Sequence, residues 1–228
     1  MPGASAVLQR ARRFGYDTPA SQHGWSTQGE VTMSKMLIGC AILALAAILV
    51  VGLMVGGIYN RLVGLNEGVD SAWAQVENVY QRRADLIPNL VATVKGAAEF
   101  EQETLQNVIE ARAKVGQVNF DTAPTPEQMQ QFQANQDGLS SALSRLLVVV
   151  EQYPELKATQ AFRDLQVQLE GTENRITVER QRYNEVAREY NTSRNRVPAV
   201  LVANLLGFPE KAYFESKPGA EEPPKVEF

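Results

Sequence analysis

Three ionisable side chains stand where a helical repeat calls for apolar ones: Arg83, Glu101 and Glu179 each fall on the a/d line of a heptad. Burying any of them unpaired costs several kcal/mol, so each must find a partner, with Arg82, Glu173 and Arg175 as candidates, or sit near a wet end of the helices. As a polar layer they would fix helix register; as a site they would bind a small ligand or a proton; in a shifted register they would face solvent. Nucleophilic and metal chemistry has little to work with, because the chain has one cysteine, Cys40, and one histidine, His23. Cys40 lies inside an apolar run and His23 ahead of it, so a Ser/His/Asp triad, a Cys/His dyad, a structural zinc site and Glu-x-x-His metal pairs lack their residues. Paired carboxylates survive the count. Long helices offer few deep clefts for them, however, and neither a glycine-rich phosphate loop nor a nucleophile elbow is present. No enzyme activity, cofactor or metal is expected.

Residues 61–228 carry 18 Lys/Arg against 24 Asp/Glu, a net charge of −6. That leaves no electrostatic footprint for nucleic acid. Aromatics make up 7% of the chain and the apolar set is mostly Leu, Val and Ala, which leans towards helices.

The elements that position these residues begin with a membrane span. Residues 36–59 form 24 consecutive positions without a charge, long enough as a helix to cross roughly 30 Å of hydrocarbon with some tilt. A cleaved signal peptide would have a shorter run and a small-residue cleavage site. Leu37-Ile38-Gly39-Cys40 looks like a lipoprotein processing site, but its apolar stretch follows the cysteine instead of preceding it. Gly52 and Gly56 have a small-x-x-x-small spacing that can bring two spans close, and chance produces the same pattern in a Gly/Ala-rich run. Lys35, with Arg10, Arg12 and Arg13 farther off, outweighs Arg61 on the other flank and tilts the orientation towards a cytoplasmic N-terminus. Met33 is the expected natural initiator.

Beyond the span, four apolar seams follow at alternating steps of three and four. The first runs Leu62, Leu65, Val69, Ala72, Val76, Val79, Arg83, Leu86, and Ile87-Pro88 should kink or end it. The second runs Leu90, Val94, Ala97, Glu101, Thr104, Val108, Ala111, Val115, with Gly116 as its C-terminal cap. Residues 117–126 are a loop whose end sets up a helix start, with Thr125 as N-cap, Pro126 in the first turn and Glu127 beside the dipole. Met129, Phe132, Gln136, Leu139, Leu143, Leu146, Val150 and Tyr153 form the third seam. After Pro154 comes the fourth, with Ala158 and Phe162 as lead-in to Leu165, Leu169, Thr172, Ile176, Glu179, Tyr183, Val186 and Tyr190. The fold class expected is all-α: a transmembrane helix continuing into an elongated antiparallel (up-down-up-down) four-helix bundle, each helix about 25 to 38 residues. A long hairpin that bundles only on oligomerising is the alternative.

Residues 197–208 are almost wholly apolar and too short to span a membrane. They form either a capping helix or an exposed patch awaiting a partner. Asn191 begins a glycosylation-acceptor pattern that also reads as a helix end. The organisation expected is a disordered extension over 1–34, a span over 35–60, a bundle over 61–196, a capping segment over 197–214 and a disordered tail over 215–228.

The ordered motifs resemble one family. Tyr59-Asn60-Arg61-Leu62-Val63, Ala72-Trp73-Ala74-Gln75-Val76, Arg82-Arg83-Ala84-Asp85-Leu86-Ile87-Pro88-Asn89-Leu90-Val91 and Val94-Lys95-Gly96 look like the LemA family's first half. Leu169-Glu170-Gly171-Thr172-Glu173-Asn174-Arg175-Ile176, Tyr183-Asn184, Tyr190-Asn191, Leu206-Gly207-Phe208 and Tyr213-Phe214-Glu215 resemble its second. The resemblance implies a bacterial inner-membrane protein with an N-terminal anchor and a helical bundle. It further implies an association with membrane-protein quality-control genes, including a membrane metalloprotease, and kinship to a magnetosome-membrane protein. Asn66-Glu67-Gly68-Val69-Asp70 departs from the basic residues that relatives often carry there. Structural or interaction residues are expected at Arg83, Pro88, Asn89, Glu101, Glu173, Asn174, Glu179, Tyr183, Tyr190 and Phe208. Expected partners are the membrane, further copies of the chain or other membrane proteins, with a small-ligand sensor as the alternative to a scaffold.

Overall fold

The computed structural model describes residues 28–96, 100–117, 120 and 122–215, with side chains from Lys35 onward. The helices are α1 (Gln28–Lys95), α2 (Gln102–Gly116), α3 (Pro126–Val150), α4 (Pro154–Lys157), α5 (Gln160–Asn195) and α6 (Ala199–Leu206), and the described residues include no strand. The chain divides into two units, Met1–Val51 and Gly52–Phe228. In the first, the large side chains of the apolar run, Leu37, Leu43 and Ile48 among them, are exposed. The helix starts at Gln28, earlier than the expected start at 35; the rest of the N-terminal extension and residues 216–228 of the expected tail lie outside the described residues.

In the second unit two clusters form the core. Val69, Ala72, Trp73, Val76 and Tyr80 of α1 meet Met129 and Phe132 of α3 and Ile176, Tyr183, Ala187 and Tyr190 of α5. Ile87, Leu90 and Val94 of α1 meet Leu105 and Val108 of α2, Leu139, Leu143, Leu146 and Val150 of α3, and Phe162 and Leu165 of α5. The first cluster is rich in rings and the second almost wholly aliphatic. The third seam is buried at every position from Met129 to Val150. Its helix starts as expected: Thr125 Oγ1 accepts from the Gln128 amide at 3.3 Å, and Gln128 Oε1 accepts from the Thr125 amide at 2.9 Å, behind Pro126 in the first turn.

Of the kink or end expected at Ile87-Pro88, the end does not occur. α1 runs through Pro88 to Lys95, and α2 is a separate helix of 15 residues, shorter than the expected range, whose last residue is Gly116. The second seam is therefore split between the end of α1 and α2. Two features offset the proline. Ile87, Leu90 and Val94 are buried while Pro88 faces solvent, so continuing the helix is rewarded by burial. Proline also has no N–H for the Ala84 carbonyl four residues back, and Arg112 of α2 supplies one, its Nε donating to that oxygen at 3.0 Å. Arg112→Ala should therefore cost about 1.5 kcal/mol. Pro88→Ala, which restores the intrahelical donor, should shrink that cost; chemical denaturation of the four members of the cycle measures it.

Candidate functional site

Among the described residues no three His, Cys, Asp or Glu side chains gather around a point that could hold a metal ion. The structure instead builds a polar layer and a clamped peptide segment.

The polar layer lies between the two core clusters. Arg83 of α1, Gln136 of α3 and Thr172 of α5 are buried, and each falls where its helix passes from one cluster to the other. Arg83 is 3% exposed; Nη1 and Nη2 are hydrogen-bonded, while Nε is buried without a partner among the described residues. Nη1 donates to Glu173 Oε2 and to Ser140 Oγ, each at 3.0 Å, and Nη2 donates to the side-chain and backbone oxygens of Gln136. The guanidinium also lies 5.1 Å from the centre of the Tyr80 ring. Burial holds the Tyr80 hydroxyl above its ordinary pKa, against the opposing pull of Arg180 and Arg83.

Of the other two seam charges, Glu101 is exposed at the N-cap of α2, a helix separate from α1, so the register of α1 does not carry to it; its Oε2 accepts from Thr104 Oγ1 at 2.9 Å. Glu179 is half-buried, with Oε2 shielded and without a hydrogen-bond partner among the described residues. The expected partners Arg82 and Arg175 are exposed, and only Glu173 takes the role foreseen for it.

The second feature starts at α6. Gly207 (φ 75°, ψ 35°) adopts the left-handed conformation that lets the Phe208 amide reach back to the Ala203 carbonyl at 2.9 Å. The chain then runs extended over residues 208–215, antiparallel to α5. Two asparagines of α5 hold it by its backbone. Asn191 donates to the Lys211 carbonyl and accepts from the Lys211 amide, both at 2.9 Å. Asn184 does the same to Phe214, at 3.0 and 2.9 Å. Seven helical residues rise about 10.5 Å and three extended residues about 10 Å, so the two spacings agree. Tyr190 Oη donates to the Pro209 carbonyl at 2.9 Å, Arg194 Nε to the Phe208 carbonyl at 2.9 Å and Arg180 Nη2 to the Glu215 carbonyl at 2.8 Å.

The clamp delivers Phe214 into the aromatic cluster. Its ring stacks on Trp73 (6.1 Å, 18°), meets Tyr183 edge-on at 5.5 Å and Phe132 at 6.4 Å, and is covered by the Arg180 guanidinium at 4.7 Å. Tyr183 is fully buried, and desolvation drives its hydroxyl pKa upward. Its Oη has no hydrogen-bond partner among the described residues. Tyr183→Phe should therefore leave stability unchanged or raise it by up to about 1 kcal/mol, which thermal denaturation checks. Asn184→Ala and Asn191→Ala each orphan an amide and a carbonyl and should each cost about 1–3 kcal/mol. Hydrogen exchange of the Lys211 and Phe214 amides should accelerate in the matching variant.

Pro88, Asn89 and Asn174 are exposed, and the Asn89 carbonyl accepts from Thr93 Oγ1. Tyr183 and Tyr190 share the aromatic cluster, and the half-buried Phe208 packs against it while meeting Tyr59 edge-on at 5.8 Å. Sequence reasoning missed Trp73, Gln136 and Ser140 as partners and Asn184 and Asn191 as clamps. The repeated Tyr-Asn pair seven residues apart was the available signal for the clamps.

The LemA family profile matches residues 72–228. The magnetosome protein MamQ 2 of Paramagnetospirillum magneticum is 26% identical over 72% of this chain and 67% of its own length. MamQ of Magnetospirillum gryphiswaldense is 24% identical over 83% and 75%. Protein LemA of Metamycoplasma hominis is 23% identical over 89% and 92%.

Proposed function

The chain belongs to the LemA family, and from that premise we propose that it is a membrane-anchored, non-enzymatic helical scaffold. Residues 36–59 cross the bilayer once, and the helices beyond pack as an up-down-up-down four-helix bundle that engages further copies of itself or other membrane components. The observation that carries this reading is the exposure of the apolar run. Met36, Leu37, Ile42, Leu43, Leu45 and Ile48 are all more than half exposed, over a stretch whose mean hydropathy reaches 2.9. Lipid is the solvent that suits such a surface.

Core clusters that draw on α1, α3 and α5 support the bundle. The polar layer at Arg83 supports a role in fixing helix register. Lys35 and the arginines before the run support a cytoplasmic N-terminus at the bacterial inner membrane, with the bundle on the other side. The name of the magnetosome relatives favours membrane organisation, and the family resemblance favours a link to membrane-protein quality control. The protein should stay in vesicles washed with alkaline carbonate and yield discrete crosslinked oligomers or partners in intact cells. Release by carbonate, or a strictly monomeric and partnerless protein, would sink the proposal.

A ligand sensor is the second reading. A cleft of about 290 Å³ beside the polar layer, lined by Tyr80, Arg112, Phe132 and Gln136, favours it, as does the shielded Glu179 Oε2, which has no hydrogen-bond partner among the described residues. A metabolite whose thermal shift disappears in Glu179→Gln, with the fold intact, would support it; a shift unaltered by that change would not.

A further inference from the structure

We propose that α6 is an interfacial helix whose outer face beds into the same bilayer that residues 36–59 cross; the inference rests on that anchor. α6 packs inward through Val202 and Ala203 and leaves Leu201 (68%) and Leu205 (84%) exposed one turn apart on its outer face, with Val197 (83%) exposed in the turn that precedes the helix. A solvent-facing row of this kind on a short helix needs a cover.

Its place in the fold names the cover. The uncharged run ends at Tyr59, and α6 is held at that level twice over. Phe208, just past the end of α6, meets the Tyr59 ring, and Arg61 Nη2 donates to Ser193 Oγ at 3.3 Å, a few residues before the helix begins. Tyr59 is half-wet, as a tyrosine at the headgroup boundary is. The segment that carries the exposed leucines is thus tied at both ends to the last residues of the uncharged run and those just past it. Arg61 and Arg196 are exposed beside it, cations suited to anionic headgroups, while Glu210 on the same border is occupied by Arg194 and Asn195. With one flat apolar face, a basic margin and too few residues to span, α6 has the make-up of a helix that lies in the interface.

The test uses the full chain in vesicles of phosphatidylethanolamine and phosphatidylglycerol. In a Cys40→Ser background, a polarity-sensitive dye is placed in turn at Leu205→Cys, at Ile48→Cys in the run and at Val167→Cys, which is 67% exposed on α5 and 28 residues ahead of its end. Brominated lipids should quench the dyes at 205 and 48 and leave 167 bright, with a blue shift at 205. Quenching at 48 alone overturns the proposal and leaves the anchor standing; loss at both overturns both. A blue shift at 205 without quenching means that a second copy covers α6, and also overturns it.

Discussion

Trp73→Ala should destabilise the protein by about 3–5 kcal/mol, the range for removing a large ring from a packed core. Trp73 is 1% exposed and touches four other rings: Phe120, Phe132, Tyr183 and Phe214. Its Nε1 also donates to the Phe120 carbonyl at 3.3 Å, tying down the connection between α2 and α3. These neighbours come from different parts of the chain, so no single helix can shift to fill the hole. Trp73→Phe keeps ring packing but loses the donor, and should recover more than half of the loss. Urea denaturation in detergent, followed by circular dichroism, measures both. A loss below about 1 kcal/mol for the alanine variant would mean that the aromatic cluster does not hold the fold together.

The second large effect is expected at Arg83. Arg83→Ala removes the buried stem together with the guanidinium over Tyr80 and leaves the Gln136 side chain and Ser140 without their donor, for a combined loss of about 3 kcal/mol. Glu173 is 51% exposed, so its carboxylate is restored to water when the arginine goes and adds little to that figure. Two further substitutions separate packing from charge. Arg83→Met retains the stem and should lose only about 1–2 kcal/mol. Glu173→Gln retains an acceptor within reach of Nη1 and should lose about 1 kcal/mol or less. The ordering, alanine worst and glutamine mildest, is the measurable claim. If Glu173→Gln proves the worst, the ion pair rather than the hydrogen-bonded layer carries the stability.

The seams were legible because burial on a helix follows a local period. From Met129 to Val150 every residue read as inward is inward. Trp73, Tyr80, Ile87 and Ala187 are buried one step off those seams, since a helix with more than one neighbour hides a stripe wider than two heptad positions. Pro88 does not end α1 because the rule that stops helices at proline is local, whereas the donor that replaces the missing one comes from Arg112 on another helix. Glu101 falls on the seam only if the period of α1 is carried past Lys95, where that helix ends, and its solvent exposure is one of the alternatives the sequence left open. The α6 segment was framed as either a cap or a bare patch, and its two faces divide the roles: Val202 and Ala203 are buried and Leu201 and Leu205 are exposed. The clamp was hidden for a different reason. A side-chain amide reading a main chain leaves no compositional trace on the segment it reads.

The extended segment also sets an order of events in synthesis. Trp73 emerges from the ribosome 141 residues before Phe214, the ring that stacks upon it. Until that late phenylalanine is released, one side of the indole has only water or a chaperone for company, and closing so long a loop is an entropic cost met at the last step. A stop codon anywhere between 208 and 213 would therefore release a chain with α1 to α6 written and its aromatic centre open, a species that quality-control proteases are suited to catch.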